Sequence, residues 1–125
     1  KPRRTGIDSI YTYIDEFGIY LKDRGITDVS LEAVPGDVKS SEAWETVKGS
    51  IDNGVPLCSL TLKHKDKEFD FFECHWYVLN GYEEDNSLHK VKAATYGRSF
   101  VLDFDRLWDT GYEKKGGLVV WKLFD

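Results

Sequence analysis

The sequence predicts an α+β fold, with two N-terminal helices followed by a twisted antiparallel sheet of four to five strands. Three observations predict it. Apolar residues recur at helical spacing before residue 25 and again around Trp44. From Val55 onward they alternate or run together in short stretches bounded by turn residues. The two regimes follow one another instead of interleaving, as α+β order requires and a parallel α/β sheet does not. At 125 residues, 41% of them hydrophobic, the chain is long and apolar enough to bury one core. We expect a single domain over 1–125, with a helix and connecting loop in 1–40 and a helix plus sheet in 41–125.

In "IDSIYTYIDEFGIYLKDRG" the stripe Ile7, Ile10, Tyr11, Ile14, Phe17 and Leu21 has helical spacing, with charge on the other face. Gly25 ends it, since glycine tolerates positive φ. "ITDVSLEAVPGDVKSS" opens with β-branched alternation and turns at Pro35-Gly36, a short strand and a loop. A second helix follows, capped by Ser40 or Ser41. Glu42 and Glu45 favour its positive end, Trp44, Val47 and Ile51 form its buried stripe, and Asn53-Gly54 closes it.

The remainder reads as sheet. "VPLCSLTLKH" is a strand, "KDKE" a polar turn, "FDFFECHWYVLNGY" a long strand, "EEDNS" a hairpin loop and "LHKVKAATYG" a further strand. "RSFVLDFDRLW" passes from a short strand to a brief helix, and "TGYEKKGG" is a loop. "LVVWKLF" closes the sheet, its continuous apolar run predicting burial on both faces.

Charge and composition exclude several classes of function. A net charge of −5, with the only basic cluster at Lys1, Arg3 and Arg4, argues against nucleic acid or an anionic membrane as partner. No stretch approaches a membrane span and no signal-peptide pattern occurs, so we expect a soluble chain, cytoplasmic or secreted. It contains no Met, so Lys1 is not expected to be the first codon and the chain reads as part of a longer product. Cys58 and Cys74 lack the spacing of a zinc site and are expected to be two buried thiols on strands, with a single bridge between them as the alternative. His64 and His89 sit in polar surroundings and are expected to be solvated. With His75 they offer no ligand pair at close spacing, so neither metal nor other cofactor is expected. Gly116-Gly117 lacks the Lys-Ser/Thr of a phosphate loop and reads as a turn. Glu83, Glu84 and Asp85 read as a solvated hairpin tip, and Trp76, Tyr77, Tyr82, Tyr96, Trp108 and Trp121 as core and rim aromatics rather than a ligand cage.

One residue stands apart. His75 opens the apolar run "HWYVLNGY", where a histidine is either a satisfied core residue or a general base at the mouth of a sheet. The order helix, "IDNGVP", strand, His-headed strand with Gly-Tyr beyond it, "ATYG", glycine-rich turn and last strand resembles the sheet-bearing half of the papain-like cysteine peptidase fold. Its nearest likeness is the bacterial peptidase C39-like group. "HWYVLNGY" resembles the His-bearing strand, "NGVPLCSL" the strand beside it, and "ATYG" the Asn-Ser-Trp-Gly turn, over Trp44 to Phe124.

The resemblance implies a hydrolase in which His75 takes a proton from a cysteine thiol and the thiolate attacks a peptide carbonyl. Three departures accompany it. Neither a nucleophilic Cys nor the oxyanion Gln occurs in 1–25, and Ala94 occupies the place of the orienting Asn. Cys74 should face away from its neighbour His75, and Cys58 could meet the ring only through a favourable register. Thr95 and Asp103 are the candidates for the third member. The chain alone is therefore expected to be inactive, its partners a peptide or protein substrate and an upstream segment carrying the Cys. The alternatives are an inactive papain-like module that binds peptide, and an unrelated interaction domain offering a sheet edge.

Overall fold

The computed structural model describes residues 8–123; Ile7, the basic head and Phe124 lie outside that range. Ser9 starts helix α1 (Ile10–Asp23), its hydroxyl accepting from the amides of Tyr11 and Thr12. Gly25, at φ +70°, carries the chain out while Ile26 N–H donates to the Leu21 carbonyl. Ile10 and Leu21 are buried and Ile14 and Phe17 half-buried. Tyr11 is 56% exposed. One residue is a rotation of about 100° on a helix, so the inward place goes to Tyr13, which rests against Trp76 at 4.9 Å.

Strand β1 (Val29–Pro35) leads to α2 (Ser40–Asp52), which begins at Ser40 without a side-chain cap and buries Ala43, Trp44 and Val47. Next come β2 (Leu57–Thr61), a 3₁₀ turn (Lys67–Phe72), β3 (His75–Asp85), β4 (Leu88–Thr95), β5 (Arg98–Asp103), α3 (Phe104–Trp108) and β6 (Gly117–Leu123). The result is α+β, a six-stranded antiparallel sheet in the order β1-β6-β2-β3-β4-β5. It exceeds the four to five strands expected because β1, seemingly an isolated early strand, pairs with β6 along its whole length.

Two other expectations are corrected. "FDFF" is not the start of a strand: Asp66 caps the 3₁₀ turn at the Glu68 amide, and Phe69 and Phe72, three apart, are both buried. "EEDNS" is mostly strand, β3 running to Asp85 with only Asn86-Ser87 between it and Leu88. Glu84 there accepts from Trp44 Nε1 at 3.0 Å and from Lys48 at 3.3 Å.

One face of the sheet meets α2 and α3 across the main core of Trp44, Val47, Leu57, Phe69, Leu79, Phe104 and Leu118. On the other face α1 packs over β1 and β6, with Ile10, Leu60, Leu62 and Val119 at the centre. β6 lies inside the sheet and Leu118 to Val120 are buried, as the apolar run predicted.

The remaining histidines are structural, not solvated. His64 is 5% exposed: its Nε2 faces the carbonyls of Arg106 (2.9 Å) and Leu107 (3.2 Å), and its Nδ1 accepts from Asp66 N–H (3.0 Å). Those partners place the proton on Nε2. His89 stacks on Trp44 at 4.5 Å between Asp105 and Glu84. Cys58 is half-buried, and Cys74 is exposed instead of buried because the chain there, at φ +54°, is leaving the 3₁₀ turn.

Gly116 enters β6 where a Cβ would collide with the Leu60 carbonyl oxygen, whereas Gly18 on α1 has nothing within 4 Å. Gly116→Ala should therefore cost about 3 kcal/mol or more in urea unfolding, and Gly18→Ala should gain up to about 1 kcal/mol. Arg106 beside Asp66 holds that carboxyl below its ordinary range, as Trp44 and then Lys48 do for Glu84. Depressed carboxylates stabilise the fold fully above their unfolded value and lose the effect as pH falls through the folded one. Melting temperature should thus fall from about pH 5 downward, and Arg106→Gln should flatten part of that fall.

Candidate functional site

In an antiparallel pair, directly opposed residues share a face, so the register decides what His75 can meet. His75 lies opposite Thr61, on the face that carries Tyr77 and the main core. Thr61 is joined to the Tyr77 hydroxyl, whose own ionisation burial pushes up. Both members of this pair are buried.

The imidazole is half-buried, and its Nε2 lies 2.9 Å from Thr95 Oγ1 at the end of β4. No partner meets its Nδ1 among the described residues. Phe71 (5.4 Å) and Tyr96 (4.9 Å, edge-on) frame the ring, and Phe72 lies beyond at 6.3 Å. When Nε2 donates to Thr95, the Nδ1 lone pair is left to take a proton from a ligand or thiol.

Tyr96-Gly97 is the two-residue connection between β4 and β5, both residues at positive φ (50° and 73°) and closed by the Thr95–Arg98 pair. These are the dihedral signs of a type I′ turn, where Asn-Gly is the usual solution. A tyrosine in that backbone costs about 1 kcal/mol. Its ring is 79% exposed yet turned against His75. Cys74, directly before His75, is also at positive φ, so unusual backbone brackets the His75–Thr95 pair on both sides.

Of the sequence candidates, His75 and Thr95 come together. Asp103 does not. It pairs with Lys90 at the far end of β5, five residues or roughly 17 Å of strand from the turn, and its carboxylate caps α3 at the Arg106 amide. Cys58 opposes Val78 on the other face of the sheet and its thiol lies 3.7 Å from the Tyr13 hydroxyl, so the register keeps it from His75. Burial, with this thiol beside it, pushes the Tyr13 phenol up. Ala94 also faces away, opposite Val78.

The sequence reading passed over Phe71, Arg98 and the groove on the opposite face. α1 covers only part of that face. Beyond its Tyr13 edge an open groove of about 520 Å³ is lined by Cys58, Trp76, Val78, Ala94 and Tyr96 and reaches Thr95. The signal for Phe71 and Arg98 was weak: an aromatic inside a misread strand, and a cation following a Tyr-Gly turn.

Fold and site together define an α+β domain presenting an imidazole–hydroxyl pair at one end of its sheet. Comparison with protein-family models, curated proteins and solved structures finds no match. No cluster of three or more His, Cys, Asp or Glu able to hold a metal occurs among the described residues, and no helix there is long and apolar enough to cross a membrane.

Tyr96→Asn should relieve the turn and raise unfolding free energy by about 1 kcal/mol, while uncovering His75. A chemical-denaturation series reads the first effect, and the ring-proton shifts of His75 read the second.

Proposed function

We propose that this chain is the histidine-bearing part of a papain-like cysteine peptidase domain, similar to the bacterial C39-like group. Its papain-like architecture would be completed by a segment outside these 125 residues that supplies the thiol. The observation carrying the reading is the contact of His75 Nε2 with Thr95 Oγ1, at the head of one strand and the end of the next, beneath Tyr96. An antiparallel β2 beside the His strand and helices packed on both faces of the sheet accompany it. Thr95 would orient the ring in place of an amide.

In the reaction the Nδ1 lone pair takes the thiol proton, and the thiolate forms a bond to the peptide carbonyl carbon. His75 returns the proton as the carbon–nitrogen bond breaks, releasing the amine. Water, deprotonated by the same nitrogen, then hydrolyses the thioester to acid and free thiol. Peptide or protein is thus the substrate, with no cofactor required. A second reading, a papain-like module that binds peptide without cleaving it, is favoured by the apolar groove that reaches Thr95.

The 125-residue chain alone should release no product from a fluorogenic peptide library. The native polypeptide containing it should do so, with an intact mass above 14.4 kDa. There His75→Ala should cost about 10²–10⁴-fold in kcat/KM and Thr95→Val up to about 10²-fold through misalignment of the ring, while Cys58→Ser changes nothing. Hydrolysis by the isolated chain that Cys58→Ser abolishes would refute the account. Peptide binding without turnover by the native polypeptide would leave the second reading.

A further inference from the structure

Arg98 follows the Tyr96-Gly97 turn and pairs with Thr95, on the face that carries His75. Its guanidinium lies 4.9 Å from the ring centre of Phe100 and 5.7 Å from that of Phe71, the ring that also frames His75. Phe71 and Phe100 are themselves 5.3 Å apart and inclined at 41°, so the two rings form an angled apolar wall beside the cation. Arg106 pairs with both Asp66 and Glu68, whereas Arg24 rests over the single exposed ring of Tyr20 at 3.9 Å. Arg98 has no carboxylate within ion-pair distance among the described residues, although the sequence contains 22 acidic residues.

Contact with aromatic rings restrains a guanidinium while leaving N–H groups free to donate. A restrained fork of donors with no carboxylate partner of its own matches one ligand group above others, a carboxylate bound through two parallel hydrogen bonds. We propose that Arg98, held on Phe71 and Phe100 beside His75, is a carboxylate-binding subsite that selects acidic peptides. The carboxylate comes from an Asp or Glu side chain or from a free C-terminus adjacent to the residue engaged at His75. This inference rests on the peptide-binding reading of the site and adds the substrate class to it.

The test is a titration of the ¹⁵N-labelled 125-residue chain with four pentapeptides. They combine Glu or Gln at one position with a free or amidated C-terminus, and acetate against acetamide serves as a small probe. The Arg98 side-chain Nε–H signal, assigned by its loss in Arg98→Gln, is followed with the signals of His75 and Thr95. We expect the anionic peptides to bind about five-fold more tightly than the doubly neutral one at low salt, the gain shrinking as salt rises. Arg98→Gln should bring that ratio close to one. A preference for Glu over the free terminus, or the reverse, identifies the source of the carboxylate.

Equal affinity for anionic and neutral peptides, or a preference that survives Arg98→Gln, overturns the subsite. Failure of the peptide reading has a different signature: no peptide moves His75 or Thr95, while acetate, but not acetamide, still shifts the Arg98 signal. If acetate leaves that signal in place as well, the subsite falls with it.

Discussion

The fold depends on the passage of β6 between β1 and β2. Two adjacent glycines make that passage. Gly116 runs where a Cβ would meet the Leu60 carbonyl, and Gly117, at φ +142°, where one would meet that of Val34. Backbone at this spacing lets β6 pair on both sides and bury Leu118 and Val120 in one core and Val119 in the other. β2 is thereby held between β6 and β3. Its register with β3 puts Thr61 opposite His75 and Cys58 on the reverse face. That register decides which side chains the imidazole can meet.

At the site, local stability has been given up for geometry. A type I′ turn is most stable with Asn or Gly at its first position, yet this one carries a tyrosine whose ring lies against His75. Cys74 likewise adopts a backbone few side-chain-bearing residues favour. The surrounding pairings, Thr95 with Arg98 and the Cys74 amide with the Leu62 carbonyl, hold both in place. Those same pairings set the ring, the hydroxyl and the neighbouring cation side by side. Orientation here comes from backbone constraint, with one side-chain hydrogen bond to complete it.

Much of this was legible in the sequence, and the misses have specific causes. The continuous apolar run in β6 announced burial on both faces, and Gly25 and Asn53-Gly54 marked the helix ends because each signal is local. Phe69 and Phe72 looked like strand because a period of three in so short a run cannot be told from alternation. The place of β1 depends on a partner some ninety residues away, which no local pattern reports. His64 and His89 looked solvated because their neighbours in sequence are polar, whereas their neighbours in space are backbone carbonyls from α3 and the Trp44 indole. His75 and Thr95 were readable as candidates from residue type at strand ends. Asp103 was displaced by the length of β5, and Arg98 by the absence of any motif that flags an unpaired cation.

The central place of β6 also bears on how the chain reaches its fold. β1 and β2 are both complete by Thr61, but the strand that belongs between them is not finished until Leu123. At ~5–20 residues per second of synthesis, the two strands wait roughly 3–12 s with the N–H and C=O groups of their facing edges unpaired. Pairings this distant in sequence also form slowly once available. During that interval the nascent chain carries two unpaired strand edges, the kind of surface through which incomplete sheets associate wrongly.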